Sequence, residues 1–206
     1  MNDQQDLAKK KGWDERYGNH EYIFGKEPND FLKSVAGQIP AAGKVLCLAD
    51  GEGRNGVYLA SLGYEVTSVD QSAVGLEKAN ALAAERGVSI TTVDADLTEY
   101  DLGTGCWDAV VSIFFHIPEA PRNQIYERVT QSLKPGGLLL LESYTPDQLK
   151  FRTGGPPVAE LMMTTDIAHR TFPDLTFEHC EELERDVIEG IGHTGRAAVL
   201  QVIARR

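Results

Sequence analysis

Hydrophobic positions along the 206-residue chain alternate between two periods. Six short runs, rich in aliphatic and β-branched residues, have the length and composition of strands. They are Lys44–Ala49, Glu65–Val69, Val88–Val93, Asp108–Phe114, Gly137–Glu142 and Ala197–Ile203. A seventh strand is expected at Leu175–Glu182, where charged residues blur the alternation. Helical stretches lie between them. Gly53–Leu62 ends at Gly63, a residue suited to a left-handed stop, and Ser72–Arg86 opens on a capping serine and ends at Gly87. Pro121–Leu133 has proline in its first turn and stops before Lys134-Pro135-Gly136-Gly137. Ahead of the first strand, Asp3–Tyr17 and Asn29–Gln38 read as helices outside the sheet. Arg152–Pro157 reads as a loop leading into a helix near Val158–His169. Strands alternating with helices predict a parallel sheet covered on both faces. The whole chain, residues 1–206, is expected to form one domain, with a helical cover over 1–40 and an α/β core over 41–206.

Composition narrows the partners. Thirty-one acidic residues against twenty basic ones give a net charge of −11, and no basic run exceeds Lys9-Lys10-Lys11. Such a surface repels phosphate backbones and anionic lipid, so neither nucleic acid nor membrane is an expected partner. No apolar run approaches the ~20 residues that span a bilayer. The stretch Met1–Lys11 is polar, unlike a signal peptide. Cys47, Cys106 and Cys180 are scattered without metal-ligand spacing. That pattern predicts no metal site and no disulfide framework, and fits a reducing cytoplasm.

Candidate chemistry begins where the first strand runs into Asp50-Gly51-Glu52-Gly53-Arg54-Asn55-Gly56. A G-x-G-x-x-G turn between strand and helix lets the backbone turn tightly and approach a ligand without a Cβ in the way. Asp70, at the end of the second strand, is placed to accept both ribose hydroxyl protons of a nucleotide-type ligand, with Gln71 beside it. Asp96, after the third strand, is a candidate to accept from an adenine amino group, with Leu97 next to it. A dinucleotide and S-adenosylmethionine both satisfy this much. A short-chain dehydrogenase also needs a Tyr-x-x-x-Lys pair downstream, and the spacing occurs only at Tyr22–Lys26, before the glycine turn.

These residues, together with Val66–Asp70, Trp107-Asp108-Ala109-Val110-Val111 and Leu133-Lys134-Pro135-Gly136-Gly137, resemble the class I S-adenosylmethionine-dependent methyltransferases. The likeness is strong from Ala42 to Ser143. Gly51-Glu52-Gly53-Arg54-Asn55, Tyr58-Leu59-Ala60, Trp13-Asp14-Glu15-Arg16-Tyr17 and Gly25-Lys26-Glu27-Pro28 are similar to the tellurite-resistance and thiopurine methyltransferase branch. The resemblance implies a doubly wound, Rossmann-like sheet of seven strands in the order 3-2-1-4-5-7-6, the last strand antiparallel. It implies S-adenosylmethionine as methyl donor, held by Asp50, Gly51, Glu52, Gly53 and Asn55, by Asp70, Gln71, Asp96 and Leu97, and by Ser112, Phe114 and Tyr22. One departure stands out: the acidic residue usual inside the first strand falls at Cys47, so Asp50 or Glu52 must substitute for it, and Asp50, in the same turn, is the expected one.

The acceptor is expected beyond the fourth strand, at Ser112-Ile113-Phe114-Phe115-His116. That mouth lacks both an Asn/Asp-Pro-Pro-aromatic run and acidic metal ligands, which leaves an apolar site for a small molecule. His116 and His193 are candidate catalytic or substrate-binding groups, and Arg196 a nearby source of positive charge. Trp13, Tyr17 and Tyr22 are candidates for a lid. The expectation is a metal-independent small-molecule methyltransferase, monomeric or homodimeric, acting on a soft nucleophile (a thiol, chalcogen oxyanion or halide). An NAD(P)-dependent oxidoreductase and a non-catalytic donor-binding module remain the alternatives.

Overall fold

The computed structural model describes residues 12–206. Residues 12–17 are helical, and the rest of the expected Asp3–Tyr17 helix lies outside the described residues. Seven strands form one sheet: β1 Lys44–Leu48, β2 Glu65–Asp70, β3 Thr91–Asp94, β4 Trp107–Ile113, β5 Leu133–Tyr144, β6 Thr176–Glu189 and β7 His193–Arg205. Their order is β3-β2-β1-β4-β5-β7-β6. The first five run parallel, while β7 is antiparallel to both β5 and β6. The order reverses between β1 and β4, which opens a crevice at their carboxyl ends where such sheets hold ligands.

Side-chain alternation divides the core. On β1, Leu46 and Leu48 enter one apolar cluster, while Val45 and Cys47 enter the other. On β5, Leu139 and Leu141 go to the first and Leu138 and Leu140 to the second. The first cluster is covered by α4 (Glu119–Ser132) and α5 (Thr165–Thr171) through Ile125, Val129 and Phe172. The second is covered by α1 (Asp30–Val35) and α2 (Arg54–Ser61) through Phe31, Leu32 and Leu59. Between β2 and β3 runs α3 (Ala73–Glu85), capped by the Ser72 hydroxyl, which accepts from Gly75 N at 3.1 Å.

The structure departs from the sequence reading in four places. The strands expected at Leu175–Glu182 and Ala197–Ile203 are both longer, because β6 and β7 continue to a tip at Gly190–Gly192. The charges that blurred β6 belong to a sheet edge, where polar side chains face water. The Lys134–Gly137 turn is an irregularity inside β5, where pairing jumps from Trp107↔Leu133 to Ala109↔Leu138. Val158–His169 is not one helix: a 3₁₀ turn at Ala159–Leu161 gives way to extended Met162, and α5 starts only after Thr164, whose hydroxyl accepts from Ile167 N. Finally, α4 opens two residues early, at Glu119; Pro121 still falls in the first turn, where its missing N–H costs nothing.

Candidate active site

The carboxyl ends of β1, β2, β3 and β4 surround a cavity of about 370 Å³. The turn after β1 makes its floor. Gly53 caps α2 at φ +83°, and a Cβ there would stand 2.5 Å from the Ala79 Cβ on α3. Glycine is therefore required by packing between α2 and α3, whatever the ligand.

Three carboxylates reach the cavity wall. Asp50 accepts from Ser68 Oγ at 2.6 Å and from Gly56 N at 3.2 Å. Burial, reinforced by the charge of Asp70, pushes its pKa up to about 7. Asp70 accepts from Gly51 N at 2.9 Å and Ser72 N at 2.8 Å, and burial lifts it to about 6 despite those bonds. Asp96 uses one oxygen, Oδ1, to accept from Thr98 N and Thr98 Oγ1, each at 2.7 Å. Asn55, Gln71 and Leu97 also line the wall. Cys47 is buried in the second core cluster, its thiol pushed well up by burial, and takes no part.

Four expected site residues are engaged elsewhere. Glu52 accepts from Ile23 N at 2.8 Å and Phe24 N at 3.5 Å, and ion-pairs with Lys78 at 2.5 Å. Tyr22 donates its hydroxyl to Lys78 O at 2.9 Å. The Ser112 hydroxyl is fully buried against Tyr126 Oη at 2.9 Å. Arg196 faces Glu184 (3.4 Å) and Asp186 (3.7 Å) on β6. It lies three residues from His193 on the same strand, so alternation sends the two side chains to opposite faces.

Glu52 and Lys78 build a clasp instead. Lys78 Nζ also donates to the carbonyls of Tyr17 (3.1 Å), Asn19 (2.9 Å) and Glu21 (2.7 Å). Together the pair straps residues 13–27 across the cavity, where Trp13, Arg16, Tyr17 and Phe24 line the wall. Trp13 stacks on Tyr17 at 5.3 Å, and Arg16 lies over the Trp13 and Phe24 rings. Lys78→Met removes an ammonium whose three protons are shared among these four acceptors. It is expected to speed amide hydrogen exchange at residues 17–24 by about tenfold or more, with core strands unaffected. Unchanged exchange there would show that the strap holds by apolar contact alone.

At the far end of the cavity, aromatic rings gather around the end of β4. Phe114 adopts φ +54°, a strained backbone for a bulky residue. Its ring stacks on Tyr144 at 4.5 Å, and His116 lies parallel to Tyr144 at 5.5 Å. His193 stands edge-on to Phe114 at 5.0 Å and to Tyr144 at 5.4 Å. Burial lowers both imidazoles, His116 to about 4; for His193, Arg54 and Arg16 add to the fall while Glu189 opposes it. Both rings are therefore neutral near pH 7.

Behind this end lies a buried polar network that the sequence reading missed. Glu189 accepts from Arg54 at 2.6 Å, from Asn29 at 2.8 Å and from Arg185 at 3.3 Å. Glu142 accepts from Arg185 at 2.9 and 2.7 Å, from Gln201 at 2.7 Å and from Asn29 at 2.5 Å. The visible signal was Glu142 itself, a charge closing the apolar run Leu138–Leu141. Among the described residues, no group of three His, Cys, Asp or Glu side chains could hold a metal ion, and no helix is long and apolar enough to cross a membrane.

Residues 45–137 match the family model described as a methyltransferase domain. The chain is 27% identical over 147 residues to an uncharacterized methyltransferase, YbaJ, of Bacillus subtilis; the match covers 71% of this chain and 54% of that protein. The chain thus spans about half the length of this curated relative. Among solved structures, one from work on the conversion of a disulfide bond into a thioacetal group during echinomycin biosynthesis is similar at a TM-score of 0.77 and 20% identity, over 96% of this chain and 92% of that one. The N-methyltransferase NodS from Bradyrhizobium japonicum, in complex with S-adenosyl-L-homocysteine, is similar at 0.70 and 13% identity, over 96% and 97%. These likenesses agree with the seven-stranded order observed here.

Proposed function

We propose that this chain is an S-adenosylmethionine-dependent methyltransferase acting on a small molecule, and within that class on a soft nucleophile. The observation that carries the donor assignment is Asp70, buried at the end of β2 and oriented by the Gly51 and Ser72 amides on the cavity wall. Each of its oxygens accepts one backbone N–H and keeps a lone pair for a ribose hydroxyl. The rest of the wall fits the same donor. Asp96 and Leu97 suit an adenine edge, and Asp50 replaces the acidic residue displaced by Cys47 in holding the amino group. The donor supplies an activated methyl on a sulfonium. The chain's share is alignment and exclusion of water, and positioning alone can contribute ~7–11 kcal/mol. Support for a soft acceptor is the apolar mouth of Phe114, Phe115, Ile117 and Pro118, together with the sequence likeness to the tellurite-resistance and thiopurine branch. His116 and His193 face that acceptor, and no metal takes part.

The test is calorimetric binding of S-adenosylhomocysteine and NAD⁺ in parallel, followed by assay of S-adenosylhomocysteine release with thiols, chalcogen oxyanions and small amines. Binding of the homocysteine product alone, with turnover of a thiol unaffected by EDTA, is expected. NAD⁺ binding in its place would make the chain an oxidoreductase. Donor binding without turnover across the panel would make it a binding module.

A further inference from the structure

Three buried side-chain nitrogens lack a hydrogen-bond partner within bonding distance among the described residues: His116 Nε2, Arg122 Nε and His193 Nδ1, the last with Glu189 Oε2 at a longer 3.9 Å. They are not scattered. His116 and His193 line the acceptor end of the cavity, and Arg122 sits in the first turn of α4 beside wall residues Pro118 and Pro121. Buried polar atoms without partners are rare in native folds, and two on the wall of one cavity, with a third close to His116, call for a common cause. A substrate group that completes them is such a cause.

The direction of the missing bond at His116 is determined. Its Nδ1 lies 3.2 Å from the Leu161 carbonyl, which can only accept, so Nδ1 carries the ring proton. Burial, with the nearby His193 and Arg122, keeps the ring from gaining a second proton at neutral pH. Nε2 is then a bare lone pair, and whatever completes it must donate. Arg122 adds to this setting. Its guanidinium donates to the Met162 carbonyl at 3.2 Å, is 1% exposed and has no carboxylate partner among the described residues. The other charges at this end are committed: Arg54 is paired with Glu189 at 2.6 Å, and Arg16 lies over the Trp13 and Phe24 rings.

We propose that His116 sets acceptor specificity, with Nε2 accepting a hydrogen bond from an S–H, N–H or O–H of the nucleophile, so that the site takes proton-bearing acceptors and turns away halides and fully deprotonated oxyanions. This rests on the methyltransferase reading and narrows its soft nucleophiles to thiols. In the transfer, a lone pair of the acceptor atom forms the bond to the methyl carbon. The carbon–sulfur bond of the donor breaks with its electron pair staying on the donor sulfur. The acceptor's proton passes along the hydrogen bond to Nε2, and the imidazolium so formed, the conjugate acid of a weak base, releases it to water when the methylated product leaves and the cavity opens to solvent. The unpaired charge of Arg122 favours that departure.

The probes are thiophenol, toluene and iodide, titrated by calorimetry at about pH 5.5, where the aryl thiol keeps its proton and the His116 ring is still neutral, into the protein saturated with S-adenosylhomocysteine. Thiophenol is expected to bind about tenfold or more tighter than toluene, the worth of one hydrogen bond to an otherwise unpaired buried group, and iodide not to compete. In His116→Phe the preference is expected to fall to within about twofold, with affinity for S-adenosylhomocysteine retained. Equal binding of thiophenol and toluene, competition by iodide, or an undiminished preference in the variant would each overturn the proposal. Should His116→Phe not fold, nitrogen NMR of the wild-type ring decides. The Nδ1-protonated tautomer is expected, and an Nε2-protonated ring overturns the assignment. Failure to bind S-adenosylhomocysteine would strike the donor reading instead, while the same three probes, titrated into the free protein, still judge His116.

Discussion

Glu189→Ala is expected to lower the free energy of unfolding by about 3–5 kcal/mol, the cost of removing one member of a buried ion pair. Glu189 is 4% exposed and is the ion-pair partner of Arg54, whose other side-chain bond is a 3.4 Å contact with the Glu27 carbonyl. Without it a guanidinium and one Asn29 amide proton stay buried and unpaired. For a chain of this length the melting temperature should fall by roughly 10 °C. Burial alone would raise the Glu189 carboxyl, but His193, Arg54 and Arg185 hold it down at about 2. A depressed folded-state pKa means the unfolded chain binds more protons in this window. The stabilisation is therefore complete above the ordinary glutamate range and is lost as pH falls from there toward 2. The variant should lack that acid limb. Chemical denaturation of both proteins between pH 7 and 3 measures the two effects together. A loss under ~1 kcal/mol would mean that water reaches the network. An Arg54→Met, Glu189→Met double variant should recover much of the loss, because an apolar pair of similar volume carries no desolvation cost.

Asp70→Ala is expected to weaken binding of S-adenosylhomocysteine roughly 10²-fold, two charge-assisted hydrogen bonds discounted for relaxation. The loss should fall on donor affinity with little change in acceptor KM, because Asp70 closes β2, while Phe114 and His116 follow β4, with β1 between the two strands. Acidity gives a second reading of the same group. Burial holds Asp70 near 6, above the ordinary aspartate value of 3.8, so between these values the folded chain binds more protons than the unfolded one. Apo stability therefore rises as pH falls through 6, opposite in sign to the Glu189 limb. Asp50, raised to about 7, contributes in the same direction just above it. If the proposed donor hydroxyls bind the carboxylate, wild-type donor affinity should weaken below pH 6, and Asp70→Asn should flatten that dependence. A dissociation constant within threefold of wild type in Asp70→Ala would remove the ribose assignment.

Much of this architecture is legible in the chain because it follows from short-range rules. Apolar runs of strand length, glycine stops after helices and a serine before α3 mark the elements without reference to one another. Alternation within β1 and β5 then assigns each residue to a face, and the position of Asp70 after an apolar strand places it at the crevice. Charge at a sheet edge hid the true length of β6, because an edge strand exposes a face and loses the apolar signature. What only the tertiary structure decided is where polar side chains find their partners. Glu52 stands in the glycine turn, yet its oxygens go to Ile23 N, Phe24 N and Lys78 rather than to the cavity. Arg196 follows His193 by three residues, and extension of β7 through both turns them to opposite faces. The Asn29–Arg54–Glu142–Arg185–Glu189 network joins four segments that no local pattern connects. Hydrophobic periodicity is a property of neighbours in sequence, whereas a buried charge is satisfied by whichever distant group the completed fold brings within 3 Å.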